Sequence, residues 1–231
     1  MEITKFYGGA DPREAPLYSV REAARFIRVA PSTLSSWVQR TWRPPGGKRD
    51  APPIIRLPDP EISRLSFNNL VEAFVLRMLR RSEGLTMPRV QKAVWNAREE
   101  RGVERPFLSK QLAASGDLFW EDGEFLFNLN MGNQLGIRQI LDQYLTRVDW
   151  DDENDVPARL YPVISDLRSG DTIVIDPMVC FGQPTIKETG IITSVILDRV
   201  NAGDPVKMIL RDYGISQAQL SDAVLYETTK G

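Results

Sequence analysis

The stretch SVREAARFIRVAPSTLSSWVQR, residues 19–40, contains two short helical patterns separated by a break. Ser19 is followed three residues later by Glu22, which is the spacing of a capping box at a helix start. Apolar residues then recur at helical intervals as far as Ile27. A second pattern begins at Pro31, because proline is favoured in the first turn of a helix. The stretch therefore predicts two helices joined by a tight turn.

Two such helices form a helix-turn-helix when the first braces the second, whose exposed residues then enter the major groove of DNA. The apolar residues expected to join the helices are Ala23, Ala24, Val29, Leu34 and Trp37. The other face of the second helix carries polar groups that bind phosphates and base edges. The DNA-binding residues predicted on it are Ser32, Thr33, Ser35, Ser36, Gln39 and Arg40.

The same pattern also fits a pair of core helices with a polar outer face. The segment that follows favours DNA binding, because residues 42–49 are rich in proline, glycine and basic residues. It leads into a strand predicted at residues 53–57, in the position of a wing. The additional DNA contacts predicted there are Arg43, Lys48, Arg49 and Arg56.

The charges divide unevenly along the chain. Residues 1–105 contain 19 Lys and Arg against 12 Asp and Glu, a net charge of +7, whereas residues 106–231 contain 10 against 19, a net charge of −9. A basic half suits phosphate, whose contacts supply much of the affinity for DNA. An acidic half suits a basic protein partner. This division indicates two binding functions on one chain.

The chain has no histidine and a single cysteine, Cys180. The commonest general base and the commonest metal ligand are therefore missing. We predict no enzymatic activity, no cofactor and no metal site. The densest run of acids, within residues 149–155, is interpreted as a solvated loop rather than a magnesium site.

The composition, 42% hydrophobic and 26% charged, is typical of soluble globular proteins. No apolar run approaches the roughly 20 residues that a membrane helix needs. Residues 1–15 are polar and carry acids, unlike a signal peptide. A cytoplasmic location without a membrane partner is therefore expected.

The predicted fold class is mainly α with small β elements. Three regions are expected: a winged helix-turn-helix at 17–103, a middle α+β region with a β-hairpin at 106–165, and a small helical domain at 170–231. Glu121, Asp122 and Gly123 mark the hairpin turn, because Asp-Gly tolerates positive φ. Further helices are predicted at 66–82, 88–101, 137–145, 191–201, 205–212 and 216–226, and strands at 158–163 and 172–175.

The N-terminal region resembles the winged helix-turn-helix of MerR-like regulators. The resemblance rests on YSVREAA at 18–24, STLSSW at 32–37 and LSFNNL at 65–70, and it covers roughly residues 17–100. It implies a homodimer that reads a palindromic operator. Metal-sensing members carry cysteine ligands after the long helix, and this sequence has none there.

The C-terminal segment resembles the small helical domain of VapB antitoxins, which are encoded beside PIN-type ribonuclease toxins. The resemblance rests on IVIDP at 173–177, FGQP at 181–184, TGI at 189–191, DYGIS at 212–216 and AVLY at 223–226. It implies an antitoxin of a type II toxin-antitoxin system that represses its own operon and neutralises a PIN-type toxin.

Antitoxins of this kind block the toxin's acidic Mg²⁺ site with a positive side chain or cover its entrance. From position alone, the predicted toxin-binding residues are Phe181, Arg199, Lys207, Met208, Arg211 and Lys230. An alternative function is a stand-alone MerR-like transcription regulator whose C-terminal half senses a small molecule. The residues that could line such a pocket, or instead form the core of the hairpin, are Phe119, Trp120, Phe125 and Phe127.

Overall fold

The computed structural model describes residue 9 and residues 11–43, 50–80, 86–108, 120–121, 124–125, 146–151, 156–162 and 170–229. The predicted DNA contacts Lys48 and Arg49, the predicted toxin contact Lys230 and the predicted helix at 137–145 lie outside these residues. So do Phe119 and Phe127 of the aromatic set.

The predicted helix pair is present. Strand β1 (Tyr18–Ser19) leads into α1 (Val20–Phe26), and α2 spans Pro31–Gln39. The Ser19 and Glu22 side chains form both hydrogen bonds of the capping box, as the sequence predicts. The break between the helices is sharp because Arg28 adopts a left-handed conformation with φ of 56°.

Two longer helices follow. Strand β2 (Arg64–Leu65) pairs with β1 and precedes α3 (Phe67–Leu79), which Ser66 caps through a second capping box. Helix α3 is buried on nearly all sides, which makes it the central helix of this half. Helix α4 (Met87–Arg101) ends at Gly102, whose φ of 65° is the left-handed conformation that glycine favours at a helix end. A short 3₁₀ turn at Pro106–Leu108 packs against α3 and α4.

The predicted strand at residues 53–57 is wrong. That segment has irregular backbone, and among the described residues between α2 and β2 the strand pairing found is an antiparallel bridge between Trp42 and Ala51. Pro52 and Pro53 have no backbone N–H to donate to a ladder. Ile54 and Ile55 are nevertheless buried. The β-branched residues therefore serve the core rather than a sheet.

Nine short strands are found among the described residues. Beyond β1 and β2, strands β3 (Trp120–Glu121) and β4 (Glu124–Phe125) pair as the predicted hairpin. The remaining five form one antiparallel sheet in chain order. Its strands are β5 (Val148–Asp151), β6 (Val156–Leu160), β7 (Ile173–Ile175), β8 (Pro184–Ile186) and β9 (Ile191–Ile192).

Part of the acidic run was wrongly assigned to a loop. Asp149 and Asp151 lie on strand β5, where Asp149 accepts a hydrogen bond from the Tyr161 hydroxyl at 2.8 Å. Asp151 pairs with Arg13 at 3.2 Å. The high density of acids therefore did not indicate that β5 is an edge strand, on which Asp149 and Asp151 pair with other residues of the chain. Residues 152–155 lie outside the described part of the chain.

Three helices complete the chain: α5 (Thr193–Asn201), α6 (Val206–Tyr213) and α7 (Gln217–Thr228). Their positions agree with the sequence prediction to within two residues. Gly214 ends α6 with φ of 63°, and Ser216 caps α7 through a third capping box with Gln219. In the part of the chain that the structure describes, no helix is long and apolar enough to cross a bilayer.

Two hydrophobic cores are built from these elements. The larger contains α1 to α4 and also Val148, Leu160 and Ile175 from the five-stranded sheet. The smaller contains α5 to α7 with Ile173 and Ile186. Strand β7 therefore contributes to both cores, and Leu160 pairs with Ile175 across the boundary expected near residues 165–170. The mainly α fold with small antiparallel sheets agrees with the predicted class, while the three regions stay a prediction.

Candidate nucleic-acid and partner interfaces

Helix α2 presents a polar face to solvent. Leu34, Trp37 and Val38 are buried against the core, whereas Ser32, Ser36, Gln39 and Arg40 are exposed and Thr33 and Ser35 are half-buried. The hydroxyl of Ser35 donates to Gln39 Oε1 at 2.7 Å, and that of Ser36 donates to the Thr33 carbonyl at 2.7 Å. These short-range bonds orient the polar side chains along the helix. The face offers donors and acceptors without an acidic residue.

The N-terminus of α2 is also open. Its N-cap residue is Ala30, so no side chain caps the helix, and Pro31 occupies the first turn. Pro31 has no N–H and the Thr33 amide donates to the Ala30 carbonyl at 2.9 Å, so the helix dipole, rather than a set of free amides, favours an anion such as phosphate here. Arg40 lies at the other end as the C-cap residue and is exposed. Helix α2 thus has a positive dipole end at its N-terminus, the positive charge of Arg40 at its C-terminus, and polar side chains between them.

Two of the predicted wing arginines are paired with acids. Arg43 Nε donates to Asp50 at 2.7 Å, and this hydrogen bond raises the pKa of Arg43. Arg56 Nη1 donates to Glu104 at 2.5 Å. Ion pairs at exposed sites contribute at most about 1 kcal/mol, so a phosphate could replace either acid.

The sequence reasoning missed two residues that position this segment. Arg98, 7% exposed on α4, donates to the carbonyls of Ile54 at 2.9 Å and Pro53 at 3.3 Å. Asn69 on α3 donates to the Arg56 carbonyl at 2.8 Å. The side chains of Arg98 and Asn69 therefore donate to the backbone carbonyls of residues 53–56, as the amides of a neighbouring strand would in a sheet. The only signal in the sequence is an arginine at a position where the helical period of α4 predicts an apolar residue.

A further basic residue was also missed. Arg21 lies exposed on α1, the helix that crosses the DNA backbone in a helix-turn-helix. Arg25 on the same helix is less available for a phosphate, because it forms an ion pair with Glu227 at 3.1 Å. The sequence already placed Arg21 on the polar side of the first helix, but the prediction of DNA contacts did not include it.

In the C-terminal half, Phe181 lies on a strained turn. Cys180, Phe181 and Gly182 all have left-handed backbones, with φ of 47°, 53° and 69°. The Phe181 side chain is 60% exposed, and Met178 nearby is 45% exposed. Gly182 is held against the N-terminal half, since its carbonyl accepts a hydrogen bond from the Tyr18 hydroxyl at 3.0 Å. The exposed Phe181 side chain therefore lies on a turn that the hydrogen bond between Gly182 and Tyr18 holds in place.

Arg199 is held within the chain. Its Nε donates to Asp204 at 2.5 Å, its Nη1 donates to Asp212 at 3.0 Å, and its guanidinium lies 5.4 Å from the centre of the Tyr213 ring. The hydrogen bond that Arg199 donates to the Asp204 carboxylate is the main reason why the pKa of Arg199 is raised. Arg199 thereby fastens α5 to α6.

The other predicted toxin contacts lie on the surface of α6. Lys207 is exposed, Met208 is 40% exposed, and the Arg211 side chain is 79% exposed with a 3.3 Å pair to its neighbour Asp212. At spacings of one and four residues, these three side chains share one side of the helix. The structure therefore brings these three together on one helix and places Phe181 on a separate turn.

Comparison with known proteins gives matches at two scales. Residues 173–226 match the family described as protein of unknown function DUF433. Over 91% of its length the chain is 26% identical to the Mycobacterium tuberculosis protein named "Putative antitoxin VapB45", 93% of which is covered. It is 24% identical over 91% of its length to the uncharacterized protein Rv2308 of the same organism, with 89% of that protein covered.

A solved structure has the same fold. The crystal structure of Rv2018 from Mycobacterium tuberculosis superposes with a TM-score of 0.61 at 24% identity, covering 90% of this chain and 97% of that one. The two chains therefore share a fold over most of their lengths. Residues 173–226 are thus similar to the DUF433 family, and the chain is similar over 91% of its length to a protein named as a putative antitoxin.

Proposed function

We propose that this protein is the antitoxin of a type II toxin-antitoxin system, and that it represses its own operon. The observation that carries the proposal is the similarity to VapB45, which extends over 91% of the chain rather than over one domain. It is supported by an exposed polar helix in the basic half and exposed cationic and apolar side chains in the acidic half.

DNA is bound through α2 and the segment that follows it. The exposed side chains of Ser32, Gln39 and Arg40 reach base edges and phosphates, and the uncapped start of α2 receives a phosphate. Arg43 and Arg56 exchange their acidic partners for phosphates when the complex forms. A homodimer presents two such helices to a palindromic operator.

The toxin partner is a PIN-type ribonuclease, whose Mg²⁺ site is acidic. Lys207 and Arg211 are better suited to reach that site than Arg199, because Asp204 and Asp212 already hold the Arg199 guanidinium. Met208 and Phe181 supply apolar contacts beside them.

A reciprocal pair of arginine variants tests both activities. Arg40→Ala should weaken binding to a duplex carrying the chain's own promoter and reduce the salt slope of that binding by about 1, while toxin binding is retained. Arg211→Ala should weaken binding to the PIN-type protein of the adjacent reading frame and leave DNA binding unchanged. Each variant is the matched control of the other. If Arg40→Ala left the affinity and the salt slope unchanged, α2 would not be the DNA-binding face.

A further inference from the structure

The last turn of α7 lies against α1 of the helix-turn-helix. The hydroxyl of Tyr226, a residue only 1% exposed, donates to the Phe26 carbonyl at 3.1 Å. The Glu227 carboxylate, 3% exposed, accepts a hydrogen bond from Arg25 Nη1 at 3.1 Å and another from the Thr193 hydroxyl at the start of α5. The contacts of Tyr226 with Phe26 and of Glu227 with Arg25 join parts of the chain about 200 residues apart in sequence.

Arg28 completes this contact at a cost in free energy. Its guanidinium carbon lies 4.6 Å from the centre of the Tyr226 ring, and its Nη1 donates to the Arg25 carbonyl. Its Nε and Nη2 are buried without a hydrogen-bond partner among the described residues. Desolvation of the Arg28 guanidinium therefore offsets part of the attraction between α1 and α7.

Tyr226 also belongs to the core that α6 and α7 share. Ile209 of α6, Leu220 of α7 and Tyr226 are members of one buried cluster. The surface of α6 carries Lys207, Met208 and Arg211, the residues assigned above to the toxin. Helix α5 packs against both α6 and α7, and its Thr193 hydroxyl donates to Glu227, so a shift of α6 would reach the contact with α1 through α5.

We infer that Arg25, Arg28, Tyr226 and Glu227 form a latch that holds the helix-turn-helix to the C-terminal helices and that can open when a partner binds α6. Opening hydrates the Arg28 guanidinium, whose Nε and Nη2 have no hydrogen-bond partner in the part of the chain that the structure describes. A partner changes DNA affinity through the latch if it binds the open and closed forms unequally. This consequence rests on the proposed function, whereas the existence of the latch does not.

Hydrogen exchange on the full chain tests the latch without DNA or toxin. Tyr226→Leu keeps an apolar side chain in the core but removes the hydroxyl and the ring beneath Arg28. Arg25→Ala removes the ion pair from the other side, outside that core. Each variant should accelerate amide exchange in α1 and α2 by about ten-fold, because local opening becomes easier. Thr228→Ala, an exposed position two residues from Tyr226, is the matched control and should leave exchange unchanged.

The inference would be overturned if Arg25→Ala exchanged like the wild type in α1 and α2, even if Tyr226→Leu accelerated exchange throughout the chain. Binding to a duplex carrying the chain's own promoter then tests the consequence. Both latch variants should differ from Thr228→Ala in DNA affinity by about three-fold or more. If the latch variants and Thr228→Ala bound the duplex with equal affinity, the latch would not be coupled to DNA binding. Failure of the wild type itself to bind the duplex would instead remove the proposed DNA-binding function, and the exchange data would still decide the latch.

Discussion

Glu72 places a carboxyl group inside the helical half of the molecule. It is 1% exposed, its Oε2 accepts a hydrogen bond from Asn69 at 2.9 Å, and Arg105 Nη1 lies 3.9 Å away. Its Oε1 has no hydrogen-bond partner among the described residues. Desolvation outweighs these attractions and raises the pKa of Glu72 from 4.5 to about 7. Near neutral pH the carboxyl group is therefore divided between its charged and neutral forms.

This shift predicts a pH-dependent stability. The folded chain binds the Glu72 proton more tightly than the unfolded chain, so the stabilisation is complete below pH 4.5 and is lost as the pH rises through about 7. Glu72→Gln should therefore raise the free energy of unfolding at pH 8, by up to roughly 3 kcal/mol relative to the wild type. The difference in the free energy of unfolding between Glu72→Gln and the wild type should decrease towards zero as the pH falls to 4.5. Denaturant unfolding at both pH values checks this, and parallel pH profiles would contradict it.

Gly182 predicts a steric effect at the contact between the two halves. A Cβ atom at this position would lie 1.9 Å from the Tyr18 hydroxyl oxygen, and the φ of 69° is already unfavourable for other residues. Gly182→Ala should cost roughly 3 kcal/mol of stability from overpacking and backbone strain. Gly203→Ala is the matched control, since its φ is 84° but no atom lies within 4 Å of the added Cβ. It should cost only about 1 kcal/mol, from the backbone alone. Equal losses in thermal unfolding would contradict the close contact.

At the scale of elements, the segment after α2 depends on α4 for its shape. Arg98 donates to the carbonyls of Pro53, Ile54 and Glu104, and burial lowers its pKa to about 10. Lysine is shorter and cannot donate in the same planar arrangement.

Arg98→Lys should therefore lower the melting temperature by roughly 5 °C. It should also weaken promoter binding, although Arg98 is buried and does not reach the DNA. Glu99→Gln changes an exposed side chain of the same helix and should leave the melting temperature and the promoter affinity nearly unchanged. If Arg98→Lys bound the promoter duplex as tightly as the wild type, the orientation of this segment would not matter for DNA binding.

The helices could be predicted from the sequence because their signals are local. Ser19, Ser66 and Ser216 each cap a helix through a partner three residues away. The backbone of residues 53–57 could not be predicted in the same way. Its β-branched residues indicate a strand, but the donors that satisfy its backbone come from Asn69 and Arg98, which are distant in sequence. A local pattern cannot show that such donors will replace a neighbouring strand.

At the scale of the whole molecule, the halves that differ in charge are joined by contacts that no local pattern reveals. The Tyr18 hydroxyl reaches Gly182, 164 residues away, and Leu160 pairs with Ile175 across the boundary expected near 165–170. The sequence suggested two separate functions, and the structure connects their elements through one sheet and two cores. DNA binding and toxin binding are therefore expected to influence each other.

The candidate sites could be predicted only in part. The helical period correctly indicated which face of α2 is exposed, because burial follows that period. It could not show which cations already have partners. Arg43, Arg56 and Arg199 all pair with acids, and only the folded chain brings Glu104 to Arg56 across 48 residues. Charge alone therefore overstates how many of these arginines face solvent without an acidic partner.

The proposed function predicts that a PIN-type ribonuclease is encoded beside this chain. The most direct test is the activity of that purified neighbour, measured as this protein is titrated in. The proposed function predicts that RNA cleavage falls to the background level near a fixed molar ratio, and that Arg211→Ala requires a higher concentration for the same effect. Undiminished cleavage in the presence of excess protein would contradict the antitoxin assignment.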